Sequence, residues 1–161
     1  MSKAQKTTPT FKPEDFEFVD LGLPSGRHWA KTNAPGHYTF NQAADIFADY
    51  LPKGAAMVEL IEECKVEWND KKHGLDITGP NGNSIFLPAA GYVFPGQDAV
   101  ADDEFSGFYW TRMTYVPNSD SYGSNSQTYA RTLGFLSGDV YPLNYANRSD
   151  GFSVRPCREF A

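Results

Sequence analysis

The run YTFNQAADIFADYLPKGAAMVELIEEC, residues 38–64, decides the fold class. In its first half Phe40, Ala43, Ala44, Phe47 and Ala48 recur at helical spacing. Thr39 precedes them, and its hydroxyl can accept a hydrogen bond from the free N–H groups of a first turn, so residues 40–50 are expected to form an amphipathic helix. Leu51-Pro52 ends it, because a proline ring disfavours helical geometry in the residue before it. KGAAMVELIEEC then places Met57, Leu60, Ile61 and Cys64 on one stripe and Glu59, Glu62 and Glu63 toward water, which predicts a second helix.

On both sides of this pair the period falls to two. Upstream, FEFVDLGLPSGRHWAKTN (16–33) holds two extended runs around the turn signal Pro24-Ser25-Gly26, a predicted hairpin. Downstream, residues 65–68 alternate, and 74–78 and 84–88 flank GPNGN (79–83), whose Asn-Gly step is a strong hairpin signal. Phe86 and its neighbours are expected to pack on the helices. Further strands are expected at 107–114, 127–136 and 151–160, with a weaker one at 140–145. Two helices set between runs of short strands make the class α+β. Residues 1–15, basic and interrupted by Pro9 and Pro13, read as an extended N-terminal arm, leaving 16–161 as one domain.

The chain has 161 residues, of which 40% are hydrophobic, 21% charged and 15% aromatic, enough for one core and inconsistent with a coiled coil or a disordered polymer. Its net charge of -6 speaks against nucleic acid as a partner, since that affinity rests on Lys and Arg neutralising phosphates. All eight lysines lie in the first 72 residues, whereas six of the nine tyrosines lie between Gly107 and Asp150, so the two halves present different surfaces. No apolar run approaches the roughly 18 residues of a membrane span, and the N-terminal stretch has no signal-peptide core, so synthesis in a cytoplasm and no membrane insertion are expected. Cys64 and Cys157 are too few for a disulfide scaffold and are not spaced as metal ligands.

Several runs resemble the Fibrobacter succinogenes major paralogous domain family of gut Bacteroidota and their phages. These are VDLGLPSG (19–26), Trp29-Ala30, LPKGAAMVELIEEC (51–64), GPNGNSIFLPAAGY (79–92), GFYW (107–110) and GFSVRP (151–156). The resemblance spans about residues 18–156. It implies a C-type-lectin-like fold, similar to formylglycine-generating enzyme and to the variable proteins of diversity-generating retroelements. In such a fold two helices pack on a small twisted, mostly antiparallel sheet, and long irregular C-terminal loops carry the ligand face. The chain departs from the family in a short 29–51 stretch without a Trp-Gly element and in lacking an export signal, and the second departure points to display by a route other than secretion, such as assembly into a phage particle. The resemblance leaves Cys64 and Cys157 either bridged, helix to last strand, or as free buried thiols.

Trp68-Asn69-Asp70 spells the WND of calcium-dependent lectins, but it follows the second helix instead of lying near the C-terminal strands. Calcium needs about six to eight oxygen ligands, so a turn after a strand is the better reading. Asp98, Asp102, Asp103 and Glu104 lack EF-hand spacing and read as a solvated acidic loop. A formylglycine-generating activity would need a cysteine pair where Cys157 stands alone. His28, His37 and His73 all lie in the first half, in polar or turn contexts, and no nucleophile elbow, Walker loop or HExxH occurs. No catalytic activity, cofactor or metal is therefore expected.

Residues 107–150 carry the recognition chemistry: tyrosines with apolar faces and hydroxyl tips, serines and asparagines for adaptable hydrogen bonds, three arginines and no lysine. The expected ligand face is Tyr115, Asn118, Tyr122, Asn125, Tyr129, Arg131, Tyr141, Asn144, Tyr145, Asn147 and Arg148. Trp110, Phe108, Leu133, Phe135 and Phe152 are assigned to the core and Arg155 to a structural hydrogen-bonding role. The same Tyr, Asn and Ser richness matches the residues that adenine-directed mutagenesis yields in retroelement-diversified proteins. The expected function is a non-catalytic binding or display module on a virion surface, as fibre, tail or capsid decoration. It would recognise a bacterial surface glycan or protein and dock on other virion proteins through the arm, with self-association left open. A bacterial cell-surface adhesin or lectin and a purely structural virion component are the alternatives.

Overall fold

A computed structural model describes residues 11–115 and 128–159. In chain order these form β1 (Phe18–Asp20), β2 (His28–Ala30), α1 (Phe40–Phe47), α2 (Gly54–Glu63), β3 (Lys65–Asn69), β4 (Gly74–Thr78), β5 (Ser84–Pro88), β6 (Ser106–Tyr115), β7 (Tyr129–Leu136), β8 (Asp139–Asn147) and β9 (Cys157–Arg158). The architecture is α+β: two short helices and three antiparallel three-stranded sheets, ordered β1-β2-β9, β3-β4-β5 and β6-β7-β8. The single small sheet expected from the resemblance is divided into three.

α1 starts at the expected cap. The Thr39 hydroxyl accepts from the Gln42 backbone N–H, and the Gln42 side chain accepts from the Thr39 N–H, so two otherwise free donors are satisfied. It stops at Phe47 because Ala48 turns to φ +45°, and a short 3-10 turn carries the chain to Tyr50. In α2, Met57 and Leu60 are buried as the stripe requires, while Ile61 and Cys64 are half-buried at its edge.

Two apolar clusters lie on opposite faces of β6-β7-β8, because consecutive strand residues point to opposite sides. Tyr109, Leu133 and Phe135 join Met57 and Leu60 of α2, Trp29, and the inward residues Leu75, Ile77, Ile85 and Leu87 of the β3-β4-β5 sheet. Trp110 and Ala130 join Phe40 and Phe47 of α1, together with Phe152 and Val154. Phe86 does not pack as expected. Ile85 and Leu87 occupy the inward positions of β5, so Phe86 faces the other way, half-buried beneath the Lys72 ammonium at 5.1 Å. Phe108 likewise is half-buried instead of fully enclosed.

The relative strengths expected of the last strands are reversed. β8 is nine residues long, whereas the described part of the expected 151–160 strand, up to residue 159, contains only the two-residue β9. The reason is that 151–156 shares its hydrogen bonds among several partners. Gly151 N–H donates to Val93 O, Phe152 N–H to Tyr38 O and Ser153 N–H to Phe108 O, while Val154 O and Pro156 O accept from Ala34 and Ala30. Residues 152–157 are all buried, so this segment is a hub threaded through the domain and not a member of one ladder.

Two of the runs that carry the family resemblance lock onto each other. Asn81 and Asn83 of the β4–β5 turn each donate a side-chain N–H to Asp20 O, at 2.8 and 2.9 Å, and Gly79 lies against Leu21. A Cβ on Gly79 would overlap the Leu21 carbonyl oxygen, a backbone atom that cannot swing aside. Gly79→Ala is therefore expected to cost about 3 kcal/mol by forcing the two segments apart, read as a lowered midpoint in denaturant unfolding.

At the N-terminal end Phe11 packs on Phe16, Phe47 and Tyr50, with centroids 5.0–5.2 Å apart, so the chain is seated on the domain from residue 11 onward. Cys64 and Cys157 are free thiols. Burial, followed by nearby carboxylates, pushes them up to about 11 and about 12, so both are protonated at neutral pH. No helix among the described residues is long and apolar enough to cross a membrane.

Candidate functional site

The β6–β7 pairing creates the site. Gly107 pairs with Phe135 and Phe108 with Gly134, so on each face of the sheet an aromatic ring lies across a strand that has no side chain at that point. On the α2 side Phe135 fills the space over Gly107 in the core. On the other side Phe108 lies over Gly134, where a Cβ would come within 3.2 Å of the ring, and the lowered strand surface leaves an open groove of about 400 Å³.

Phe108 stacks on Phe152 at 5.1 Å to form the groove floor, and Tyr92 stands edge-on to Phe108 at 5.5 Å as one wall. β8 supplies the opposite wall through Tyr141, Asn144 and Ala146. Asp102, Asp150 and Ser106 add polar groups. Burial, together with the nearby Asp102 and Asp150 charges, raises the pKa of the Tyr92 phenol. Burial also raises the Asp150 carboxyl above the usual range. Asp102 adopts φ +54°, a left-handed conformation that aspartate tolerates better than most residues, as its loop folds back to let Ser106 N–H and Phe105 N–H bond to Asp102 O. The site thus offers aromatic surface for apolar or cationic groups beside carboxylate, amide and hydroxyl oxygens.

Only part of the expected ligand face meets at this groove. Tyr141, 54% exposed, and Asn144 line it. Arg131 pairs with Tyr145 and Tyr129 with Asn147, positions that alternate with the Thr132–Asn144 pair and so fall on the opposite face of the sheet. There Tyr129 and Tyr145 meet edge-to-face at 5.6 Å. Asn147 closes a turn by accepting from the Ser149 N–H and hydroxyl. Arg148 is a structural pin: its guanidinium lies 4.7 Å from the Phe40 ring centroid and donates to Tyr129 O. Tyr115 ends β6 in register with Tyr129. Asn118, Tyr122 and Asn125 lie outside the described residues.

Residues not expected at the site are Tyr92, Ser106, Phe108, Gly134, Asp150 and Phe152, with Asp102 present in a different role. Asp102 is exposed, as expected of a solvated acidic loop, like Asp98, Asp103 and Glu104, and it also stands at the edge of the groove. The signal that could have found the site was the paired order Gly-Phe at 107–108 and Gly-Phe at 134–135, which demands crossed aromatic and glycine partners.

The other chemistry-bearing residues are absorbed by structure. Asn69 accepts from the Lys71 and Lys72 N–H groups and donates to Asp76, and Asp70 accepts from the Trp68 indole, so the WND run is a capped turn. Among the described residues no three His, Cys, Asp or Glu side chains gather as a metal would require. His37 Nε2 is 2.8 Å from Ala90 O, His28 pairs with Asp20, and His73, at φ +60°, pairs with Glu104. Arg155 holds a buried network. It donates to Asn33 Oδ1 at 2.7 Å, Ala30 O at 3.1 Å and Phe86 O, and Asn33 donates in turn to the Tyr109 hydroxyl, which donates to Pro88 O. Burial lowers the Arg155 guanidinium to about 10 and raises the Tyr109 phenol to about 12, which leaves the one charged and the other neutral at pH 7.

Compared with protein-family models, curated proteins and solved structures, the chain matches none.

Proposed function

We propose that the chain is a non-catalytic binding module of C-type-lectin-like fold, displayed on a phage particle, that recognises a glycan or protein of a bacterial surface through the β6-β7-β8 groove. The observation that carries this reading is the groove itself: a stacked aromatic floor and an exposed tyrosine on a sheet built from the late part of the chain, with the polar side chains of Asp102, Ser106 and Asp150 at its margin. Supporting the fold assignment are the two helices set against small antiparallel sheets, the pairing of β9 with β2, and the irregular hub at 151–156. Phe11 seats the chain on its own domain, so a docking role falls to residues before it, and deleting residues 1–10 is expected to abolish incorporation into the particle without unfolding the domain.

The test of recognition is binding of the labelled protein to intact gut Bacteroidota cells and to a bacterial glycan array. Tyr141→Ala with Asn144→Ala removes two groove side chains outside the core, and we expect at least about a tenfold fall in binding with the thermal midpoint little changed. Undiminished binding by the double variant would overturn the assignment of the site.

A further inference from the structure

We propose that the groove takes a basic side chain, Lys or Arg, presented by apolar neighbours on a partner protein. This rests on the reading of the groove as the recognition site and names the chemistry of its ligand. Asp102 and Asp150 put two carboxylates on the groove, and among the described residues no Lys, Arg or His lines it. Asp150 is half-buried and has no cationic partner among the described residues. A partly desolvated carboxylate without a counter-charge is costly, and a ligand cation would offset that cost. Ser106, only 1% exposed, also lines the groove, and its Oγ has no hydrogen-bond partner among the described residues. It is an acceptor that a guanidinium or ammonium N–H can use. The Phe108 and Phe152 rings beneath complete a cation–π floor.

The surroundings favour a protein over a sugar as the carrier. Phe94, Val100, Phe105, Leu136 and Tyr141 are all exposed. Phe94 packs against Tyr92, Val100 lies against Gly91, the residue before Tyr92, and Leu136 and Tyr141 line the groove itself. Phe105 adjoins Ser106 in the chain, and its carbonyl accepts from Ser137 N–H beside Leu136. Aromatic rings alone serve a sugar's C–H face. Aliphatic side chains and an outward phenylalanine beside them match the apolar flank of a protein epitope, with the charged pair at its centre.

The probes are the capped tripeptides Leu-Lys-Phe and Leu-Arg-Phe, their neutral counterpart Leu-Gln-Phe, and glucosamine, titrated into the full chain and followed by NMR. Both basic peptides should shift the resonances of Asp150, Ser106 and Phe108, and Leu-Gln-Phe should bind at least about tenfold more weakly. Asp150→Asn, of nearly the same shape, should lower the basic peptides' affinity about tenfold with no fall in thermal midpoint, and leave Leu-Gln-Phe unaffected. Equal binding of neutral and basic peptides, no response to either basic peptide, or a response to glucosamine alone would each overturn the proposal. Cell or glycan binding lost in the Tyr141→Ala, Asn144→Ala double variant but kept in Asp150→Asn would overturn it while leaving the broader reading intact. Peptide binding at the groove by a protein that binds neither cells nor glycans would do the reverse.

Discussion

Replacing Arg155 by methionine is expected to cost about 3–5 kcal/mol of unfolding free energy, although the side-chain volume is nearly kept. Arg155 is 1% exposed and faces no carboxylate among the described residues; its charge is spread over Asn33 Oδ1, Ala30 O and Phe86 O. Methionine leaves one buried acceptor, Ala30 O, and two part-buried ones short of a donor, at up to about 1–3 kcal/mol each. Release of the buried charge offsets part of that sum. These acceptors sit at the end of β2, in the loop after it and in β5, so Arg155 ties the sheet holding the chain's first and last strands to the β3-β4-β5 sheet. Asn33 extends the tie to Tyr109 in β6. Arg155→Lys should recover less than half of the loss, since one ammonium cannot span three acceptors placed for a planar fork. Urea unfolding of the three proteins checks the order. A methionine variant within about 1 kcal/mol of wild type would show that the network does not hold the sheets together.

Trp110→Ala is expected to cost a similar amount, about 3–5 kcal/mol, by a different route. Trp110 is fully buried between Phe152, 4.6 Å away, and Phe40, which meets it edge-on at 5.6 Å. Its indole N–H donates to Tyr38 O at 2.7 Å. Removing the indole opens a cavity where α1, β6 and the hub segment converge, and none of the three can close it without breaking its own backbone bonds. Trp110→Phe separates the terms. It retains most of the apolar contact and loses the hydrogen bond, but Tyr38 O keeps a second donor in Phe152 N–H. The phenylalanine variant should therefore lose only about 1–2 kcal/mol. Because Phe152 also floors the groove, the alanine variant should weaken ligand binding too, whereas the phenylalanine variant should bind normally.

Much of the framework was legible from local pattern. Thr39 and the 40–48 spacing give α1, Asn81-Gly82 gives the β4–β5 hairpin, and Pro24-Ser25-Gly26 marks the turn of the first one, because each is set by contacts within a few residues. Local pattern failed where the backbone has several distant partners. The hub at 151–156 resembles an ordinary strand, yet its hydrogen bonds go to Val93, Tyr38, Phe108, Ala34 and Ala30. β8 resembles a weak strand because Pro142 blurs its alternation, yet it pairs with β7 on both sides of an irregularity, from Asp139 to Tyr141 and from Asn144 to Asn147.

The same division runs through the candidate site. Composition directs the search for a candidate face to the late half of the chain, since Tyr, Asn and Ser suit a wet, adaptable surface wherever they are exposed. Composition carries no information about which face of a sheet a residue occupies. A shift of one position reverses it, so Tyr141 and Asn144 reach the groove while Arg131 and Tyr145 point away. The helix pair follows from residues 38–64, through periodicity and the break at Leu51-Pro52, and the α+β class from that pair set between the period-two runs on either side. The groove needed the tertiary fold, because Tyr92, Asp102, Phe108, Tyr141 and Phe152 become neighbours only after the sheet pairs, Gly134 admits the Phe108 ring and the hub segment threads beneath it.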